Sequence, residues 1–306
     1  MKQLKGTLFC LGAALFWGIA FVAQDVSAEI VEPFTFSAVR MALGCVTLAL
    51  IVFIKKLATK RKPKETKTLE EKKKYRLQLI IGGIVCGVCL TLATNLQQYG
   101  LQYTTAGKSG FITACYIVLV PVIGLFFRRK CPVFVWIAIV LAAVGLYFLC
   151  IKGSITDFGK GDLITLACSV AFAMHILVVD KFAKDVDGIE ITCIQALVCC
   201  LVSTALMLVF EHPNWENIVK AYVPILYTGI FSAGLAYCFQ TLGQKNLNPT
   251  VASIVMSVES VVSVLAAWII LHQTLTGREI IGCVIIFAAI ILAQIPKRKR
   301  EIKVLY

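Results

Sequence analysis

The sequence predicts an all-α integral membrane protein with ten transmembrane helices, arranged as two inverted five-helix repeats around a central cavity. Three observations predict this class. Hydrophobic residues make up 59% of the 306 residues, whereas soluble domains contain about 45–50% apolar residues. The apolar residues are gathered into runs long enough to cross a bilayer, and the second half of the chain repeats the order of the first.

Ten apolar runs follow one another along the chain. A helix needs about 20 such residues to cross a hydrocarbon core of about 30 Å. The predicted spans cover residues 4–23, 34–54, 77–96, 107–127, 132–151, 161–179, 190–210, 219–242, 249–271 and 277–295.

The basic residues orient these spans. With both termini in the cytoplasm, 24 of the 30 Lys and Arg residues fall on the cytoplasmic side, as the excess of positive charge in cytoplasmic loops requires. Much of the net charge of +13 lies in the loop 55–76 and the tail 297–303. We expect both to face anionic lipid head groups rather than nucleic acid. The predicted location is therefore the cell membrane, as a multi-pass protein.

The two halves match in the order and length of their spans. Gly6 in the first span aligns with Gly161 in the sixth, and Gln98 and Gln102 in the third align with Gln240 and Gln244 in the eighth. The repeats cover residues 1–151 and 152–306, and the second includes the basic tail. Because each half has an odd number of spans, the second half enters the membrane in the opposite sense, which is a plan of secondary transporters.

Four stretches resemble the drug/metabolite transporter superfamily in its ten-helix EamA-type permease branch, and the likeness covers nearly the whole chain. They read LFWGIAFVAQ in the first span, FTFSAVRMAL in the second, TTAGKSGFITACYIVLVPVIG through the fourth and NPTVASIVMSVESVVSVLAAWIILHQTLT through the ninth. The resemblance implies a permease of small solutes, with spans five and ten at the periphery. The chain departs from the family pattern at Gln273, where Glu is usual, and at Glu259-Ser260, where the family has Glu-Pro.

The stretch TTAGKSGF, residues 104–111, has Gly107-Lys108-Ser109 at its centre, and these three residues match the end of a phosphate-binding loop. Such a loop needs a Gly five residues before its second Gly, between a strand and a helix. Gln102 holds that place, and a membrane helix precedes it. We therefore predict no nucleotide. Lys108 faces the outer mouth of the cavity or extends to the lipid head groups.

Polar side chains inside spans mark the expected cavity, because lipid does not tolerate them and they must face protein or water. Arg40 could hold a substrate carboxylate, and Glu259 and His175 could carry a proton; the alternative for all three is a structural role. In spans one, three and eight, polar residues at helical spacing share one face of the helix, and we expect these faces to line the cavity. Aromatic residues are expected to form its walls. The remaining predicted cavity residues are Trp17, Gln24, Thr91, Asn95, Gln98, Tyr116, Tyr237 and Gln240.

The leading hypothesis is a secondary active transporter of small organic metabolites or drugs that exports its solute by alternating access with proton coupling. The alternatives are an intramembrane enzyme, a channel or a non-transporting scaffold. The sequence predicts no catalytic residue set, metal site or cofactor, and 13 cysteines scattered through apolar runs do not suggest a disulfide framework. Substrate, direction of transport, coupling ion and oligomeric state stay open.

Overall fold

The computed structural model describes residues 2–59, 68–104, 106–128, 131–151, 159–272 and 274–294. Within these residues the protein is helical and contains no strand. The predicted basic tail 297–303, part of the basic loop 55–76 and the Lys108 side chain lie outside them. We number the ten apolar segments α1 to α10.

The first half contains α1 to α5. Their bounds are α1, Lys2–Ala28; α2, Pro33–Thr59; α3, Leu69–Gly100; α4, Ala106–Ala114 followed by Tyr116–Phe126; and α5, Val133–Cys150. Helix α3 starts earlier than predicted, inside the basic loop. Thr68 and Glu71 form a capping box there, which satisfies free N–H groups at the helix start.

The second half contains α6 to α10. Their bounds are α6, Lys160–Phe182; α7, Gly188–Phe210; α8, Tyr222–Tyr227, a π-helical turn over Thr228–Ala236 and Tyr237–Gln244; α9, Pro249–Met256 followed by Val258–Ile270; and α10, Gly277–Ala293. A short separate helix, Trp215–Lys220, precedes α8.

Eight of these segments are long and apolar enough to cross a membrane by length and composition. The other two are α5, a shorter apolar helix over Val133–Leu149, and α10 with 17 residues. Helices α5 and α10 pack against each other. Their contact is close because Gly145 and Gly282 face each other: a Cβ on either would lie 3.0 Å or less from the other's carbonyl oxygen.

The helix contacts repeat when α1–α5 are exchanged with α6–α10. Helix α3 packs on α6 as α8 packs on α1, α3 packs on α7 as α8 packs on α2, and α4 packs on α6 as α9 packs on α1. The pairs α2–α7 and α5–α10 map onto themselves. The bundle therefore has an internal two-fold relation.

Two glycine contacts show this relation at atomic detail. A Cβ on Gly87 in α3 would lie 2.6 Å from Val198 Cβ and 3.0 Å from the Gln195 carbonyl oxygen. A Cβ on Gly229 in α8 would lie 2.5 Å from Leu43 Cβ and 3.1 Å from the Arg40 carbonyl oxygen. On the partner helices the residues are 155 positions apart, so Gln195 is the equivalent of Arg40.

Candidate functional site

A small cavity with about 40 Å³ of free volume lies between α1, α2, α3, α4, α6, α8 and α9. Its walls combine large aromatic side chains with a few polar groups, the composition of a site for a small organic molecule. The aromatic lining residues are Trp17, Phe21, Tyr116, Phe172 and Tyr237; the polar ones are Gln24, Arg40, Gln97, Thr113, Ser232, Gln240 and Glu259; and Ile176 and Met256 complete the wall.

Arg40 is the cation of this cavity, and its side chain is buried. Nη1 donates a hydrogen bond to Gln24 Oε1 at 2.8 Å, and the guanidinium lies over the Phe36 ring at 5.3 Å. Within the described residues, Nε and Nη2 have no hydrogen-bond partner. These two nitrogens form one side of the guanidinium fork, which matches the two oxygens of a carboxylate.

Glu259 is the buried acid of the cavity. Its Oε1 accepts a hydrogen bond from the Tyr116 hydroxyl at 2.9 Å. The two residues begin matching helices, because Tyr116 starts the second piece of α4 and Glu259 lies in the first turn of the second piece of α9. An acid in the first turn of a helix is favoured by the helix dipole.

Local sequence explains how these helices reach the cavity. Pro121, which lacks an N–H group and crowds the preceding turn, lies in the second piece of α4. Gly18 lets α1 approach α9, since a Cβ there would lie 2.7 Å from the Glu259 carbonyl oxygen. Ser232 lies in the π-helical turn of α8, and such turns are frequent at functional sites.

The rest of the wall supplies further unpaired polar atoms. Trp17 packs edge-on against Tyr237 with ring centroids 5.1 Å apart. Trp17 Nε1 and Gln240 Oε1 are buried and have no partner among the described residues. Gln97 Nε2 donates to Thr113 Oγ1 at 3.4 Å. The cavity therefore offers both donors and acceptors beside apolar surface.

Seven of the predicted residues line this cavity: Trp17, Gln24, Arg40, Tyr116, Tyr237, Gln240 and Glu259. Four others, Thr91, Asn95, Gln98 and His175, are buried but are not part of its lining. The side chain of Lys108 lies outside the described residues.

The four residues off the cavity belong to the region where α3, α6 and α7 meet. Asn95 Nδ2 donates to Ser203 Oγ at 2.8 Å, and His175 Nε2 lies 3.1 Å from Gln195 Oε1. His175 also packs edge-on against the Tyr237 ring, with centroids 6.0 Å apart. His175 thus contacts a residue of the cavity wall without lining the cavity itself.

Sequence reasoning missed Gln97, Thr113, Ser232, Phe172, Ile176 and Met256 as lining residues. Gln97 sits beside the predicted Gln98. The sequence therefore showed a polar position in α3, but it did not show which of the two neighbouring side chains faces the cavity. Ile176 likewise lies next to the predicted His175, and Ile176 rather than His175 is on the side of α6 that faces the cavity. The apolar residues carry no signal that separates a cavity wall from ordinary packing.

These observations define a polytopic helical membrane protein with a cavity between two related halves that is lined by aromatic and polar side chains. The chain belongs to the EamA-like transporter family, whose model matches residues 4–151 and 159–294. An uncharacterized transporter of Archaeoglobus fulgidus is 26% identical over 301 residues, covering 96% of this chain and 87% of that protein. The uncharacterized transporter YoaV of Bacillus subtilis (strain 168) is 24% identical, covering 98% of this chain and 100% of YoaV.

A solved crystal structure supports the fold. It superposes with a TM-score of 0.76 at 18% sequence identity, covering 94% of this chain and 96% of that chain. The shared fold is thus independent of close sequence similarity.

Proposed function

We propose that this protein is a secondary active transporter that exports a small organic solute through the cavity by alternating access. Residues 1–151 and 152–306 are the two repeats in this proposal. The observation that carries it is one cavity that holds an unpaired guanidinium edge at the buried Arg40 and a buried carboxylate at Glu259. A structural bundle has no use for both groups at one internal space, since buried charges are costly in a membrane.

The substrate in this proposal carries a carboxylate and an apolar part. Arg40 Nε and Nη2 bind the carboxylate, while Gln24 holds the opposite side of the guanidinium. The rings of Trp17 and Tyr237 pack on the apolar part. Tyr116 and Gln240 complete the set of substrate-contacting residues that we assign.

Proton coupling is assigned to Glu259. Its carboxylate is buried and bonded to Tyr116, and no Lys or Arg among the described residues forms an ion pair with it. A carboxylate in such a place can take up and release a proton as the site changes sides. His175, bonded to Gln195 behind Tyr237, is the second candidate for proton transfer.

The proposed sidedness follows from charge. Both termini are cytoplasmic, in the cell membrane, because this arrangement places most Lys and Arg residues inside. The basic loop 55–76 and the tail 297–303 then lie against anionic head groups of the cytoplasmic leaflet.

The test is solute flux in proteoliposomes that contain the purified protein. A panel of radiolabelled carboxylates, amino acids and cationic drugs is loaded, with and without a pH gradient. We expect saturable flux of at least one carboxylate-bearing solute and acceleration by the gradient. Absence of flux for the whole panel, or an unsaturable ionic current, would contradict the proposal.

A further inference from the structure

Helices α2 and α7 join the two halves side by side and antiparallel, and they are in contact at both ends. Thr35 at the start of α2 meets Glu211 at the end of α7. Lys56 near the end of α2 meets Glu190 at the start of α7. Thr35 and Glu190 are 155 positions apart, and so are Lys56 and Glu211. The two contacts are therefore equivalents under the internal two-fold relation, made with different chemistry.

The Glu211 end is held by a shielded carboxylate. Glu211 Oε1 accepts from the Phe34 amide at 2.8 Å, and Oε2 accepts from the Thr35 amide and hydroxyl, each at 2.7 Å. Glu211 is only 9% exposed. The amides are free N–H groups of the first turn of α2, which favours a negative charge. Phe34 also stacks on Tyr99 at 5.9 Å, which extends the closure to α3.

The Lys56 end is held by exposed ion pairs. Lys55 pairs with Asp187, and Lys56 Nζ lies 3.7 Å from Glu190 Oε1. The side chains of Lys55 and Lys56 are 43% and 66% exposed. Tyr75 of α3 adds a hydrogen bond to Glu190 at 3.0 Å. Exposed ion pairs contribute little, because water and salt screen them.

We propose that these two contacts are unequal gates of the transport cycle, with Glu211 as the residue that holds the outer end closed. The Lys55/Lys56 end opens first, so the carrier without solute rests open to the cytoplasm. This sidedness rests on the proposed function. In the present structure α2 and α7 are in contact at both ends.

The asymmetry follows from the bonds that each opening breaks. Opening the Glu211 end separates a carboxylate from three donors at once, and charge-assisted hydrogen bonds are stronger than neutral ones. It also exposes the free amides of α2. Opening the other end separates side chains that water already reaches. An exporter must load its solute from the cytoplasm, and a weaker inner gate allows this.

The test measures access to the cavity from each side without any solute. Ser232, which lines the cavity, is replaced by Cys in a background whose 13 native cysteines are removed. The purified protein is reconstituted in liposomes of known orientation and treated with a membrane-impermeant maleimide on one side. We expect faster labelling from the cytoplasmic side in the otherwise unaltered protein.

Glu211→Gln is the decisive variant. We expect labelling from the outer side to rise roughly tenfold, the size expected for lost bonds to a charged group. Lys55→Gln combined with Lys56→Gln should raise cytoplasmic labelling only about twofold. Glu216→Gln is the matched control, because Glu216 is an exposed acid that follows closely on the same side, and it should change neither rate.

An outer labelling rate within twofold of the parent in folded Glu211→Gln would overturn the proposal. If Glu211→Gln does not fold, Thr35→Val decides instead, because it removes one donor and keeps the shape and the amide. It should raise outer labelling about threefold, and no rise would overturn the proposal. Because labelling needs no solute, a shift without flux refutes the proposed function and not the gates, while flux without a shift refutes the gates.

Discussion

Arg40 and Gln195 occupy equivalent places in the two halves, yet they create different surroundings. The Arg40 carbonyl faces Gly229 as the Gln195 carbonyl faces Gly87, so the backbone packing is the same. Arg40 bonds Gln24 and keeps one edge of its guanidinium unpaired at the cavity. Gln195 bonds His175 and does not line the cavity.

The comparison shows that the two halves share their helix packing but differ in their charged side chains. The small residues that let the helices approach are matched in both halves, because the same backbone contacts must form twice. The charged groups are not matched: the equivalent of Glu259 in α4 is Ile117, by the register that pairs Gly87 with Gly229. An internally symmetric bundle with a site between its halves is typical of secondary transporters.

Arg40→Gln should have the largest effect on transport and should show most clearly that the two equivalent positions differ. Losing the charged fork should lower the rate of carboxylate flux in proteoliposomes roughly 100-fold, as expected for two hydrogen bonds to a charged group. Gln195→Ala, the equivalent change in the other half, should lower it less than about threefold. Similar losses in both variants would mean that the two sites share one role.

Glu259→Gln should separate coupling from binding. Flux driven by a pH gradient should fall by about tenfold or more, because the amide cannot carry a proton. Solute exchange at equal pH on both sides should stay within about threefold. A variant that still responds to the gradient would remove Glu259 from the coupling step.

Gly87→Val and Gly229→Val should test the matched packing. In both variants the new side chain meets a neighbouring helix at 2.6 Å or less. We expect each to lose about 1–3 kcal/mol of stability, seen as similar decreases in thermal unfolding midpoint in detergent. Gly110→Ala is the control, because a Cβ there meets nothing within 4 Å. A large difference between the two Val variants would argue against equivalence.

The smallest effect concerns the pH dependence of the contact between Lys55 and Asp187, the proposed cytoplasmic gate. Partial burial acts to raise the pKa of Asp187, but its hydrogen bond to Lys55, the Lys55 charge and its bonds to the Glu190 and Ile189 amides outweigh this, and the pKa lies below its ordinary value. A lowered pKa means that the ion pair persists at neutral and mildly acidic pH and is lost only as pH falls through that lowered value. The ratio of the cytoplasmic labelling rate of Ser232→Cys to the rate of the same protein carrying Lys55→Gln and Lys56→Gln should therefore be constant between about pH 5 and 8, because the pH-dependent thiolate fraction cancels in this ratio.

The sequence was sufficient for the helices and for part of the cavity. Apolar runs predict spans because lipid demands them, and charged residues within spans point to Arg40 and Glu259. The stripe in α3 shows where this reasoning stops. Helical spacing identifies a polar face with Asn95 and Gln98, but the neighbouring helix decides its partner, and Ser203 of α7 satisfies Asn95.

Most local backbone features could not be predicted from the sequence either. The interruptions at Cys115 and Ser257 and the π-helical turn of α8 depend on packing between helices rather than on composition. Pro121 is the single clear signal, and it affects only α4. The early start of α3 was readable from Thr68 and Glu71, which have the spacing of a capping box.

The most direct test of the inverted plan is the sidedness of two equivalent loops. Glu29 between α1 and α2 and Asp185 between α6 and α7 are exposed and lie in equivalent loops of the two halves. Single cysteines replace them in the cysteine-free background, and intact cells are treated with an impermeant maleimide before and after permeabilisation. We predict labelling of Glu29→Cys in intact cells and of Asp185→Cys only after permeabilisation. Labelling of both from the same side would contradict the inverted arrangement on which this account depends.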